Sequence, residues 1–336
     1  MNRENEGVSL LDAPEISGLK FRRYRGEMDL HAIVAVFAAC KTVDGLERIL
    51  STEDLRRLFD QLDNFDPYKD VLIAEINSVV IALAMVYWET KARGDWIYNT
   101  TGYTVPEWRR KGIGTAMLRH NESRLRTIAR HHPIGVPKYI QRMVTEAQQD
   151  LSTILSYDGY KVMRYHCDMV RPIETPLPPA QLPTGLEVRP VRVEDYRKIW
   201  DANQEAFAEN WWHRPATEEE YAYWLASSWF NPKLWMVAWE DNQVAGMVLN
   251  YINTDENFEF QCKRGYTEEI CVRSPWRQRG LARSLLVQSI NMFKNMGFEE
   301  TALGVDASNE SGALVLYESV GYQVVRRWLI FSKPLA

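Results

Sequence analysis

The sequence predicts an α/β chain of two tandem domains, each an α+β unit with a mixed, mostly antiparallel sheet flanked by helices. Three observations predict it. The chain has 336 residues, a length that favours two domains of roughly 150 residues each. Its halves repeat one another at an offset of about 165 residues, too long a period for a solenoid of short units. Within each half, apolar strand patterns occur both as hairpins and as strand–helix–strand units, which requires a mixed sheet with helices on its faces.

The repeat is visible element by element. Leu19-Lys20-Phe21-Arg22 and Leu186-Glu187-Val188-Arg189 each precede an amphipathic helix pattern. Asp66-Pro67 leads into two apolar strands joined at Asn77-Ser78, and Asn231-Pro232 into two joined at Asp241-Asn242. Polar pairs of this kind form hairpin turns. Arg109 to Gly114 and Arg277 to Ala282 each follow an apolar strand and open a long helix pattern. Tyr157-Asp158-Gly159-Tyr160 mirrors Ser319-Val320-Gly321-Tyr322. The second half reads as strand 186–191, helices 194–208 and 216–228, strands 234–240, 243–251 and 265–273, helix 280–296, strand 300–306, helix 310–319 and strand 322–333. The helix 280–296 is the plainest, with Leu281, Leu285, Leu286, Ile290 and Phe293 at helical spacing and a glycine cap at Met296-Gly297.

The domain extents follow: a first domain over 15–172, a linker over 173–185 and a second domain over 186–336. Pro176, Pro178, Pro179 and Pro183 exclude helix from the linker and favour an extended spacer. Arg22, Arg23 and Arg25 read as a short solvated charge run.

Composition excludes several classes of function. Apolar residues make up 46% and charged residues 25%, which excludes a disordered, collagen-like or coiled-coil chain. A net charge of -5 argues against a nucleic-acid partner, because such binders carry a basic excess. No apolar run reaches the roughly 18 residues of a membrane helix, so no membrane partner is expected. Met1 to Leu10 is polar and holds no signal-peptide core. Cys40, Cys167, Cys262 and Cys271 show no metal-finger spacing. No metal is expected, and they read as reduced thiols of a cytoplasmic protein.

The chemistry is carried by Val272 to Leu286. A strand ends, a tight loop turns and a helix opens at a small-residue site. Helix N-termini present unpaired N–H groups and a positive dipole end, which together bind phosphate. Gly280 and Ala282 allow phosphates to approach the backbone, and Arg277 and Arg279 add charge. The first half offers the same arrangement at Arg109, Arg110, Lys111, Gly112, Ile113 and Gly114.

This segment resembles the acyl-CoA-binding motif of the GNAT (Gcn5-related N-acetyltransferase) superfamily, Gln/Arg-x-x-Gly-x-Gly/Ala. Leu303 to Tyr322 resembles the second signature of that family: a strand, Asn309 near a helix start, Tyr317 late in the helix, and the Gly321-Tyr322 pair. The two occur in the family's order and spacing, and the resemblance covers nearly the whole chain. The duplicated layout is similar to that of tandem-domain members of the family. Ala206 to Glu209 and the stretch onward to Trp229-Phe230-Asn231-Pro232 are similar to the second domain of such proteins.

The resemblance implies acetyl-CoA as donor. It implies binding at Ile270, Cys271, Val272, Arg277, Gln278, Arg279, Gly280, Leu281, Ala282, Arg283 and Asn309, with a second donor site at the loop Arg109 to Gly114. It also implies Tyr317 as the general acid for the leaving thiolate and a carboxylate base on the strand before the loop. That strand reads Tyr266-Thr267-Glu268-Glu269-Ile270-Cys271-Val272. Alternation places Glu268 with Ile270 and Val272, and Glu269 on the other face. Glu268 is the favoured base and Glu269 the fallback, while the family's commonest base position falls on Tyr266. The first half has Thr100 and Leu155 at the matching places, so its domain is expected to be catalytically silent. In the family, the loop corresponding to Glu209–Pro215 lines the acceptor pocket, which here holds Trp211, Trp212 and His213.

The implied function is acetyl transfer to a primary amine of a small molecule. Acetylation of a protein N-terminus or lysine is an alternative within enzymes. A non-catalytic acyl-CoA sensor is the alternative from another class. The chain is expected to act as a monomer that forms an internal pseudo-dimer, or as a homodimer.

Overall fold

A computed structural model describes residues 7–46, 51–62, 64–91, 94–210, 216–309 and 312–335. The strands are β1 (Leu19–Arg23), β2 (Val71–Ile76), β3 (Val79–Thr90), β4 (Trp96–Thr104), β5 (Lys138–Thr145), β6 (Lys161–Pro172), β7 (Glu187–Val188), β8 (Met236–Glu240), β9 (Gln243–Tyr251), β10 (Arg264–Val272), β11 (Glu300–Asp306) and β12 (Gln323–Pro334). They fall into two compact units. The first is Met1–Arg164 with Trp328–Ala336, and the second is Tyr165–Arg327. No helix among the described residues is long and apolar enough to cross a membrane.

In the first unit the sheet order is β1-β2-β3-β4-β5-β12, and β4–β5 is its parallel pair. Alternation along β3 feeds two layers. Leu83 and Met85 join Leu30, Ile33 and Val36 of the helix Glu27–Lys41 in one. Ala82 and Ala84 join Ile113, Ala116 and Met117 of the helix Ile113–Ala129 in the other. Arg22 is buried rather than solvated. Its Nη2 and Nη1 each donate to Asp29 at 2.8 Å, and its Nε to Glu75 at 2.7 Å. Two carboxylates, one in the first turn of the following helix and one on the neighbouring strand, hold this cation inside, a pairing the local run Arg22 to Arg25 does not reveal.

The second unit repeats the order as β7-β8-β9-β10-β11-β6, with β10–β11 parallel. Val244, Met247 and Leu249 of β9 pack with the helix Tyr196–Phe207, while Ala245 and Val248 pack with the helix Leu281–Asn295. Leu281, Leu285, Leu286, Ile290 and Phe293 are all buried, as their spacing predicts. The expected strand 186–191 shrinks to Glu187–Val188, and a short helix at Thr254–Glu259 appears that no periodicity announced.

The units divide differently from the expected boundaries. β6 enters the second sheet by pairing with β11, and the end of β12 enters the first by pairing with β5. Residues 173–185 hold no helix or strand, yet they are not a free spacer. Ile173, Leu177, Ala180 and Leu182 pack against the second unit's core.

Arg171 of β6 anchors this arrangement. It is fully buried, and its guanidinium donates to the carbonyls of Val320 at 2.7 Å, Pro172 at 2.9 Å, Ile173 and Thr175. Arg171→Met takes the guanidinium away from these carbonyls, of which those of Val320 and Ile173 are buried. It is expected to lower the melting temperature by about 5 °C or more, measured by thermal denaturation. An unchanged melt would show that the carbonyls find other partners.

Candidate functional site

The site of the second unit begins where two parallel strands part. β10 and β11 are in register from Arg264↔Glu300 to Tyr266↔Ala302, and no further. Beyond that point both strands continue, leaving a wedge between Thr267–Val272 and Leu303–Asp306. On its other edge, β10 carries a bulge against β9. Glu268 faces Leu249, but Cys271 faces Met247, so Glu269 and Ile270 oppose a single residue. Glu269 takes the left-handed conformation, with φ 47°. The strict alternation expected from the sequence therefore fails here, because the extra residue resets the faces.

Glu268 reaches across the wedge and accepts a hydrogen bond from the backbone N–H of Gly304 at 3.0 Å. Burial pushes its pKa up to about 8, helped by the charges of Glu269 and Asp168 and opposed by the Gly304 N–H. Glu269 turns toward the helix Tyr196–Phe207 and accepts from Asn203 Nδ2 at 2.9 Å. Solvent reaches much of its surface, while protein crowded around the carboxylate raises its pKa. Tyr317, late in the helix Ala313–Ser319, is 6% exposed. Burial holds its hydroxyl protonated, and the charge of Glu268 adds to that. Tyr266 is occupied elsewhere, donating its hydroxyl to Glu256.

Two residues of this cluster were not anticipated. His166 and Asp168 lie two apart on β6, hence on one face, and they pair opposite Asp306 and Gly304 of β11. His166 Nε2 lies 3.6 Å from Asp168 Oδ1, and Arg326 Nη1 lies 2.9 Å from Asp168 Oδ2. Burial lowers the pKa of His166, against the pull of Asp168 and Asp306. A Cβ added to Gly304 would meet His166 Nε2 at 2.9 Å and Glu268 Oε1 at 3.8 Å. His166, Glu268 and Gly304 thus crowd one end of the wedge. The signal that could have found the pair is the alternation of Tyr165-His166-Cys167-Asp168 within a strand.

The loop after β10 ends at Gly280, which caps the helix Leu281–Asn295 with φ 81°. A side chain there is strained by the left-handed backbone, although the space around it is open. The first helical bond runs from Ser284 N to Gly280 O at 3.1 Å. The N–H groups of Leu281, Ala282 and Arg283 thus have no partner within the helix. The side chains expected at phosphate are held by protein. Arg277 donates to Val272 O at 3.0 Å, Glu209 at 2.9 Å and Ala206 O at 3.3 Å. Arg279 donates to Thr184 O and Arg283 to Ser319 Oγ, each at 3.1 Å. Arg277 therefore fastens the loop to the helix Tyr196–Phe207 rather than projecting toward the helix end. Gln278 adds a second left-handed residue at φ 60°. Ile270, Cys271 and Val272 line the parted stretch of β10, with Cys271 buried. Asn309 Nδ2 lies 3.3 Å from Asn210 Oδ1. Trp211, Trp212 and His213 lie outside the described residues.

The first unit repeats the scaffold. β4 and β5 are in register from Trp96↔Lys138 to Asn99↔Gln141 and then part. Gly112 caps the helix Ile113–Ala129 with φ 83°. Arg109 folds back to Asp44 at 2.7 and 2.9 Å and to Thr104 O at 2.9 Å. Arg110 pairs with Asp150, and Lys111 lies over the Trp108 ring. A cavity of about 350 Å³ opens against Gly112, Gly114, Gly102 and Arg142. Two features differ from the second unit. The β3–β4 register runs from Ala82↔Thr104 to Thr90↔Trp96 without a bulge. Thr100 accepts from Asn121 Nδ2 at 3.1 Å, and Leu155 is fully buried. Among the described residues, no group of three or more His, Cys, Asp or Glu is arranged to hold a metal.

Comparisons with known proteins agree with this double geometry. The chain matches the sequence model of the acetyltransferase (GNAT) family twice, over residues 33–146 and 197–322. It is 25% identical over 301 residues to a mycothiol acetyltransferase of Geodermatophilus obscurus, covering 87% of this chain and 90% of that one. Its structure is similar to a GCN5-related N-acetyltransferase from Sphaerobacter thermophilus, with a TM-score of 0.75 and 24% identity over 95% of this chain and 96% of that one. It is also similar to a tandem GNAT protein from the clavulanic acid biosynthesis pathway, with a TM-score of 0.67 and 13% identity over 95% and 99% of the two chains. At these identities the two structures show a shared fold.

The raised pKa of Glu268 has a consequence for stability. Burial favours the neutral carboxyl, so ionising it in the folded chain costs stability. The cost is absent below the ordinary value of 4.5, grows as pH rises, and levels off above about 8. Glu268→Gln keeps an acceptor for Gly304 and removes the charge. Its melting temperature relative to the parent chain is expected to rise across that window. A difference independent of pH would reject the raised pKa.

Proposed function

Because this chain belongs to the acetyltransferase (GNAT) family, we propose that its second unit transfers an acetyl group from acetyl-CoA to a primary amine of a small molecule. The observation that carries this reading is the difference between the two wedges. The second has a bulged strand, Glu268 beside the gap and a protonated Tyr317 within range of the Glu268 charge. The first has Thr100, Leu155 and an unbulged strand. The relative spanning most of the chain is named a mycothiol acetyltransferase, which supports a small-molecule acceptor.

Each part has a physical role. The N–H groups at the head of the helix Leu281–Asn295 take the donor's phosphates. The wedge offers unpaired backbone groups to the amide-bearing arm of the donor, as a sheet edge does to an extended peptide. The acidic cluster of Glu268, Glu269 and Asp168 attracts a cationic amine. An amine with a pKa of about 10.4 must lose a proton before it attacks, which costs roughly 4–5 kcal/mol at neutral pH. Glu268 accepts that proton. The amine nitrogen bonds to the thioester carbon, the carbon–sulfur bond breaks, Tyr317 gives its proton to the departing sulfur, and the second proton shed by the nitrogen restores the tyrosine. His166 and Asp168 hold the far side of the wedge and position Glu268 through the Gly304 segment. The Gly112–Gly114 loop of the first unit is a second donor-binding site without turnover.

Steady-state kinetics test these roles. With Glu268 as base, kcat/KM rises with pH through about 8. Glu268→Gln removes that limb and lowers the rate about 10²-fold or more. Tyr317→Phe is expected to lower kcat about 10-fold or more with little change in the KM for acetyl-CoA. Full activity of the phenylalanine variant would assign Tyr317 to packing.

The assignment of turnover to one unit has its own test. Gly280→Val adds a side chain at the head of the helix Leu281–Asn295, and Gly112→Val does the same at the helix Ile113–Ala129. Turnover is expected to fall far more in the first variant, with folding of both checked by a cooperative melt. The reverse ranking would place the chemistry in the first unit.

A further inference from the structure

The cavity of the first unit holds a charge that acetyl transfer does not use. Arg142 stands on β5 one residue past Asn99↔Gln141, the last pair before the strands part. It is 7% exposed and lines the cavity of about 350 Å³ together with Gly102, Tyr103, Gly112 and Gly114. Its Nη2 donates to Gly102 O at 2.6 Å, and its Nε is buried without a partner. Asp44 is the carboxylate whose charge acts on it, and both Asp44 oxygens are taken by Arg109. Opposite it on β12 stands Phe331.

Arginine does not shed its proton in proteins. A buried guanidinium without a counter-charge is strongly unfavourable, and the planar fork fits a carboxylate with two parallel hydrogen bonds. The cation lies at the closed end of the wedge. The helix Ile113–Ala129 begins at Gly112, on the wall of the same cavity. A ligand with phosphate at one end and an anion at the other satisfies both.

We propose that this cavity binds a coenzyme A thioester whose acyl group ends in a carboxylate, which pairs with Arg142. The inference rests on the reading of the Gly112–Gly114 loop as a second donor-binding site. An acetyl group leaves Arg142 unpaired, whereas a succinyl group supplies its counter-ion. Thr100 and Leu155 provide neither base nor acid, so the thioester is held and not consumed.

Calorimetry on the full chain tests it, with CoA, acetyl-CoA, succinyl-CoA and free succinate as titrants. Two sites per chain are expected, one of which binds succinyl-CoA about 10-fold or more tighter than acetyl-CoA. Arg142→Gln is expected to abolish that preference. Equal affinities for the two thioesters at both sites overturn the inference and leave the second donor site standing. A preference that survives Arg142→Gln also overturns it, because the anion is then read elsewhere. Free succinate binding as tightly as succinyl-CoA assigns the cavity to a dicarboxylate and overturns the thioester. A single site for every thioester defeats the second-site reading itself, and the inference with it. Should Arg142→Gln not melt cooperatively, the comparison of thioesters on the parent chain still decides.

Discussion

In each unit two parallel strands pair over three or four residues and then part, and the proposed donor sites depend on that parting. Backbone groups on the parted edges must find partners from side chains, solvent or ligand. In the second unit one of them, Gly304 N–H, is taken by Glu268. The loop after the parted strand closes within a few residues on a glycine in the left-handed region, which starts a helix. A parted sheet edge and a helix end with unpaired N–H groups, the two parts of the proposed donor site, are thereby fixed on one frame. Arg277 and Arg109 keep the frame closed by tying the loop to neighbouring segments of the same unit.

The duplicated frames diverge at the bulge. In β10, Glu269 sits in a conformation that strains a non-glycine residue by roughly 1–3 kcal/mol, and β4 has no such residue at the same place. Strain of that size persists where the surroundings enforce it. Here Asn203 holds the Glu269 carboxylate, and the β9 register resumes two residues later. The bulge lets neighbouring glutamates leave the strand in directions that simple alternation forbids. One faces Gly304 and the other the helix Tyr196–Phe207.

Much of this was legible in the sequence because it is local. Helical spacing from Leu281 to Phe293, the hairpin pairs and the glycines that open the two long helices all depend on neighbours along the chain. What escaped depends on distant partners. The charge of Arg277 is evident, but nothing near it shows that Glu209 and the Ala206 carbonyl will claim it. Arg22 looks solvated until Asp29 and Glu75 close around it. His166 and Asp168 precede the proline-rich stretch, so their membership in the second unit follows only from the pairing of β6 with β11. The residues Trp211, Trp212 and His213 fall outside the described structure.

One register position shows how the duplicate frames acquired opposite charge. Counting from the first parallel pair in each unit, Gly304 and Arg142 occupy the same place. A side chain at 304 would strike His166, so the acidic cluster of the second unit requires glycine there. At 142 the opposing strand supplies Phe331 where the second unit has Asp168, and Leu329 where it has His166. An apolar wall leaves room for a long side chain and offers no carboxylate to neutralise it. The same change that removes the acidic cluster from the first wedge therefore installs a buried cation in it. A wedge with a cation suits the proposed retention of an anionic ligand, and a wedge with a carboxyl and a phenol suits the proposed turnover. A single scaffold thus carries two pockets of opposite electrostatic character, each set by which residue stands four positions past its first parallel pair.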